Sequence, residues 1–195
     1  MPRRLSLFLT LLALAGCGGA KRGAEQAIAA ADSAVATISA EAEKVQPELV
    51  QPLTAALHSA RVALESGQYD SATARAKAIP AQAAQVSARL EQAKKDLNAD
   101  FATLSEAMPR NLELIRIRLL KPPRAMSRER AAEIQKTYDE AKAEWPAITQ
   151  EFQSGALASA MSKAFALKTR ASEAMTALGL TIDPKTWGNL ITQPK

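Results

Sequence analysis

The chain offers few side chains equipped for chemistry. Cysteine occurs once, at Cys17, and histidine once, at His58. A single cysteine cannot form an intramolecular disulfide. His58 follows Leu57 on an apolar helical seam and reads as a boundary polar residue. A metal site there would have no second imidazole and no free thiol, and would rest on carboxylates. Asp96 with Asp100, and Glu140 with Glu144, are acidic pairs at helical spacing. Each has Lys or Arg nearby, the pattern of a solvated helix face. The sequence contains no Gly-rich phosphate loop, nucleophile elbow or pair of catalytic carboxylates. It gives no catalytic residue and no metal site, and it points away from an enzyme. The densest charged feature is Arg116, Arg118, Lys121, Arg124, Arg128 and Arg130, with only Glu129 among them. Such a cluster suits phosphate groups of lipid or an acidic partner. Its plainer reading is a solvated linker with flanking helix charges.

Cys17 matters because of what precedes it. Met1-Pro2-Arg3-Arg4 is basic. Leu5 to Ala15 is an apolar run interrupted only by Ser6 and Thr10, and small residues close it. These are the parts of a secretory signal. The run is about half of the roughly 20 residues that a spanning helix needs. Leu14-Ala15-Gly16-Cys17 resembles the lipobox of bacterial lipoproteins. That resemblance implies cleavage before Cys17, diacylglycerol on its thiol and an acyl chain on the new amino group, with no other cofactor. Two or more chains hold a protein on a membrane, at about 0.8 kcal/mol per buried CH₂. By resemblance to enterobacterial lipoproteins, Gly18 in place of Asp favours the periplasmic face of the outer membrane. In a cell with one membrane, the same anchor implies the outer face of the cytoplasmic membrane. Arg3-Arg4 hints at twin-arginine export, but Ser6 stands where that signal wants a bulky apolar residue, which favours general secretion.

The remaining composition is that of a helical protein. Ala dominates, Glu, Gln, Lys, Arg and Ser are abundant, and aromatics are 4%. Ala is the strongest helix former, with the long straight side chains close behind. Runs of Val, Ile, Thr and Tyr that would suggest strands are absent. The net charge is +5, and removing Arg3 and Arg4 leaves +3. Outside the cytoplasm this mild excess argues for anionic lipid or cell-wall polymer and against nucleic acid, since no aromatic-plus-basic surface accompanies it.

Apolar residues three and four apart trace the seams of several helices. The first runs Ile28, Ala31, Val35, Ile38, Ala42, Val45, with a break expected near Gln46 ahead of Pro47. The second is Val50, Leu53, Leu57, Ala60, Leu64, ending at Ser66-Gly67. The third starts at Ala72 and passes Ala76, Ile79, Ala83, Val86, Leu90, Ala93, Leu97, Phe101, Leu104 and Met108. It runs through Pro80, so the expectation is one kinked helix, about 60 Å long from Tyr69 to Met108. Leu112, Ile115 and Leu119 extend its phase past Pro109. Ser127 is a fitting N-cap for the next helix, with a seam of Ile134, Tyr138, Ala141, Trp145, Ile148, Phe152. The last seam runs Leu157, Ala160, Ala164, Leu167, Ala171, Ala174, Leu178. Leu57, Leu64, Phe101, Tyr138, Trp145 and Phe152 are the expected large anchors, with Trp145 among the most important.

Two of these units match at an offset of 88 residues, with both seams and the Ser-Gly turn in one register. Leu64-Glu65-Ser66-Gly67-Gln68-Tyr69-Asp70-Ser71-Ala72 resembles the turn of tetratricopeptide repeats, over that turn alone. Gln46-Pro47-Glu48-Leu49, Gly67-Gln68-Tyr69 and Trp145 through Ala160 are similar to a group of Ala-rich bacterial envelope lipoproteins built from helical hairpins. That resemblance implies architecture and location, and no activity.

The sequence thus predicts an all-α, elongated bundle of two similar helical hairpins. Residues 1–16 are the signal and 17–24 a lipidated tether. Residues 25–179 form one helical-hairpin domain, with repeat units at about 47–97 and 131–179. Residues 180–195 form a tail in which Asp183-Pro184 starts a short helical turn and Trp187 and Leu190 pack back. Lys195 shares with murein lipoproteins of enteric bacteria a terminal lysine, which there is joined to the cell wall. The expected role is non-enzymatic: a membrane-anchored periplasmic scaffold or interaction module with an envelope protein or peptide partner. The alternative is a carrier holding a small apolar or peptide ligand between hairpins. Alanine seams could also pair two copies of the chain. A buried apolar cavity would favour the carrier, and an exposed apolar stripe the interaction module.

Overall fold

The computed structural model of the chain describes residues 16–182 and Trp187. Among them the regular elements are all helical. They are α1 (Gly16–Val45), a 3₁₀ turn (Pro47–Val50), α2 (Gln51–Glu65), α3 (Tyr69–Leu119), α4 (Arg128–Gln153) and α5 (Leu157–Ala177). The all-α expectation holds, for the reason given by composition: these residues lose little side-chain freedom in a helix. Leu14, Ala15, Asp183, Pro184, Leu190 and Lys195 lie outside the described residues. Residues 17–24, assigned above to a tether, belong to α1, and Ala24 is buried. No helix among the described residues is long and apolar enough to cross a membrane.

Prolines set two of the boundaries. Pro47 and Pro52 occupy first-turn positions of the 3₁₀ turn and of α2, where a missing N–H costs nothing. Pro80 and Pro109 do not end α3, and Pro146 does not end α4. All three sit on exposed positions. There the carbonyl freed by the proline can reach water, so helix continuity survives.

Two compact units divide the chain, residues 1–90 and 91–195. The first comprises α1, α2 and α3 up to Leu90. Its buried residues follow the predicted seams: Ile28, Ala31, Val35, Ala42 and Val45 of α1, Leu53, Leu57 and Ala60 of α2, and Ala72, Ala76, Ile79 and Leu90 of α3, with Ala24 added and Ile38 only half-buried. Arg61 of α2 pairs with Asp32 of α1 at 2.6 Å, and the Arg75 guanidinium of α3 donates to Ser59 of α2. Leu64, expected as an anchor, is only half-buried, and Ala63 takes the buried place beside it.

The second unit comprises α3 from Glu91, α4 and α5. One cluster forms its core, including Phe101, Leu104, Met108, Ile115, Tyr138, Phe152, Met161, Leu167 and Leu178. Phe101 stacks on Phe152 with ring centroids 3.8 Å apart, and on Trp145 at 5.7 Å. Trp145 is half-buried, while Trp187 is 2% exposed and joins the same core. The expectation that Trp187 packs back is met. The deeper tryptophan is the one in the tail. Salt bridges tie α4 to α5: Arg170 forks onto Glu144, and Lys163 Nζ lies 2.6 Å from Glu151.

The two hairpin turns share one hydrogen-bond pattern at the offset of 88. Gly67 N–H donates to Leu64 O, Gln68 N–H to Ala63 O and Ala72 N–H to Gln68 O. Gly155, Ala156 and Ala160 repeat these bonds onto Phe152, Glu151 and Ala156. Gly67 and Gly155 have φ of 74° and 92°, the left-handed conformation that ends a helix with both orphan carbonyls satisfied. Leu90 and Leu178 are equivalent and both fully buried. After Leu178 the chain turns at Gly179, φ 70°. After Leu90 comes Glu91, which has no such freedom, and α3 continues. The boundary between the units falls at that position.

Candidate interaction surface at the end of the third helix

The residues with a claim to function meet the structure unequally. His58 is exposed on α2. Among the described residues, no group of three or more His, Cys, Asp or Glu is close enough to hold a metal ion. Glu140 and Glu144 both face Arg170 of α5. Asp100 differs from the other acidic residues. Burial first, and then the neighbouring Asp96, raise its carboxyl above the ordinary value, while Lys168 opposes them. Burial in turn lowers the Lys168 ammonium, which lies 5.9 Å from the centre of the Trp187 ring. This cluster joins residues far apart in sequence, and helical spacing carries no signal of it.

The basic cluster resolves into two groups. Three of its members have partners. Arg116 forks onto Glu113 at 2.8 and 2.6 Å. That bond lowers the Glu113 carboxyl and raises the Arg116 guanidinium. Arg118 Nε donates to Leu178 O at 3.1 Å, satisfying a carbonyl at the end of α5 where a cation suits the helix dipole. Arg130 pairs with Glu133 at 2.7 Å. Both carboxylates stand three residues from their arginines, a spacing visible in the sequence that the reading above left out. Lys121, Arg124 and Arg128 are exposed, and no ion pair reaches them among the described residues.

Local structure fixes these three cations. Lys121-Pro122-Pro123-Arg124 cannot continue a helix, so α3 stops and the chain turns. The Ser127 hydroxyl accepts from Arg130 N–H at 3.1 Å and caps α4, as its residue type predicts. The Glu129 carboxyl is lowered by its own backbone N–H and then by Ser127, so it belongs to the cap.

Beside them lies an apolar feature that the seams did not reveal. Leu114 is 42% exposed, Ile117 51% and Leu120 75%. Leu114 and Ile117 lie in the last turns of α3 and Leu120 just past its end; spaced by three, they are exposed where Leu112 and Ile115 are buried. They are three of the four large hydrophobics exposed among the described residues. The signal was present in Leu112 to Leu120, which holds more apolar residues than one seam can bury.

Each unit also carries an open cleft. One, about 490 Å³, is lined by Arg130, Lys168, Thr169, Ser172, Glu173 and Thr176. The other, about 450 Å³, lies between α1 and α3, against Ala27, Ala30, Ala76 and Pro80. Compared with family models, curated proteins and solved structures, the chain matches none of them.

Proposed function

We propose that the chain is an exported lipoprotein, cleaved before Cys17 and held by lipid on that residue at the periplasmic face of the outer membrane. We propose further that it works there as a non-enzymatic interaction module. The support for the anchor is the order of Arg3-Arg4, the apolar run and Leu14-Ala15-Gly16-Cys17. The observation that carries the interaction role is the exposed stripe Leu114, Ile117, Leu120. Apolar side chains left in water beside a capped and well-packed helical unit are a docking surface in search of a partner. The carrier alternative has less support, because both clefts are open at the surface and the seams are filled by their own side chains.

The test is made in living cells. Radiolabelled palmitate should enter the protein and be lost with Cys17→Ser. A photo-crosslinker at Ile117 should capture a component of the envelope, and one at the exposed Ser162 of α5 should not. No palmitate on Cys17 would reject the anchor. Equal capture at both positions, or none at Ile117, would reject the docking surface.

A further inference from the structure

Resting on that reading, we infer that the occupant of this surface is an anionic phospholipid bilayer, so that the end of α3 and the link to α4 form a second membrane contact. The distribution of charge points there. Residues 110–130 contain seven Lys and Arg (Arg110, Arg116, Arg118, Lys121, Arg124, Arg128, Arg130) and two carboxylates, Glu113 and Glu129, a net of +5. The whole chain carries 25 Lys and Arg against 20 Asp and Glu, also +5. The other 174 residues (195 less 21) are therefore formally neutral. All of the excess charge sits in one short segment, and that segment also holds three of the four large hydrophobics exposed among the described residues.

Apolar side chains flanked by unpaired cations are what a charged membrane surface selects. The apolar groups enter the boundary between headgroups and acyl chains, while Lys and Arg stay at phosphate level. A protein interface would favour a different pattern, since its buried centre is depleted of lysine and its cations meet fixed carboxylates. Here Glu113, Glu129 and Glu133 are already taken by Arg116, the cap of α4 and Arg130. Lys121, Arg124 and Arg128 follow Leu120 within eight residues and have no ion pair among the described residues, and diffuse negative charge is the complement they lack.

The experiment uses the full chain carrying Cys17→Ser, so that one introduced thiol takes an environment-sensitive dye. The thiol is placed at Leu120→Cys or, as control, at Ser162→Cys, also exposed in the second unit. Vesicles are phosphatidylcholine alone or with phosphatidylglycerol, with and without a lipid-borne quencher. Residues 1–16 are common to every variant, so any binding by them is shared and the difference between positions 120 and 162 reports the local contact. The dye at position 120 should shift to the blue and be quenched in anionic vesicles, weakly in neutral ones and less at high salt. The dye at 162 should not respond. Lys121→Glu, Arg124→Glu and Arg128→Glu together should raise the lipid needed for half response by at least about tenfold. Unchanged far-UV circular dichroism would confirm that this exposed triple variant is folded. An equal response at 120 and 162, or one indifferent to lipid charge and to charge reversal, overturns the inference. Capture of a protein at Ile117 in cells with no lipid response here would overturn it too, while leaving the interaction-module reading in place. Palmitate labelling of Cys17 tests the anchor independently of both.

Discussion

Phe101→Ala should be among the most damaging single substitutions in the second unit. Phe101 is 6% exposed and sits between Phe152 and Trp145, so its ring joins α3 to α4. Truncating a buried Phe to Ala costs about 3 to 5 kcal/mol in lost transfer energy and residual cavity. The aromatic contacts account for about 0.5 to 1.5 kcal/mol apiece beyond burial. For a unit of this size each kcal/mol moves the melting temperature by about 4 °C or more. The expected drop is therefore at least about 12 °C. The chain offers a selective reporter, because its two tryptophans, Trp145 and Trp187, both lie in the second unit. Tryptophan fluorescence against temperature thus follows that unit alone. Phe101→Leu keeps most of the volume and should cost about 1.5 kcal/mol or less. A fluorescence melt of Phe101→Ala within about 3 °C of the unmodified chain would refute the packing argument.

Trp187→Ala should destabilise by about 3 to 5 kcal/mol and Trp145→Ala by less, since only Trp187 is fully buried; chemical denaturation of the two variants in parallel would detect the reverse order. Gly67→Ala and Gly155→Ala should each cost about 1 to 2 kcal/mol, because a Cβ meets open space at both and only the positive φ is strained. Thermal melts no lower than that of the unmodified chain would contradict this. Ser127→Ala should cost about 0.5 to 2 kcal/mol by freeing Arg130 N–H, checked by amide exchange in the first turn of α4. The Glu151 carboxyl is held below its ordinary value by Lys163 and then Ser159. Its contribution is complete above the unfolded value of about 4.3 and is lost as pH falls through the lower folded value. The stability gap between the unmodified chain and Glu151→Gln should close on acidification, and a gap constant down to pH 2 would count against the pair.

Much of the fold was legible because it rests on local rules. The break at Gln46, the Gly67 and Gly155 turns and the Ser127 cap depend on residue types within one helical turn. The seams from Ile28 to Leu178 depend only on a period of 3.6 residues, and most residues they name are buried, with Ile38, Leu64, Ala93, Leu97, Leu119, Trp145 and Leu157 only partly so. The candidate surface was half legible. The cations were plain in the sequence, but which of them remain unpaired depended on Glu113, Glu133 and the distant carbonyl of Leu178. The Leu114, Ile117, Leu120 stripe showed in the sequence only as an excess of apolar residues over one seam, and which of them stay exposed is set by the partners that cover one side of the run.

By itself the sequence determined that the chain is helical, where its helices turn and which side of each is buried, since propensity, capping and periodicity act over a few residues. Tertiary structure decided what depends on packing across the chain. It chose Trp187 over Trp145 as the buried ring, because only the closed core could show which one reaches its interior. It raised the Asp100 carboxyl by burying it beside Asp96, against the opposing charge of Lys168. It divided one long helix between two units at the point where Glu91 stands in place of the glycine that ends α5. It also left three apolar side chains in water, and three cations in the following residues without an ion pair among the described residues, because exposure is set by which surfaces neighbouring helices cover.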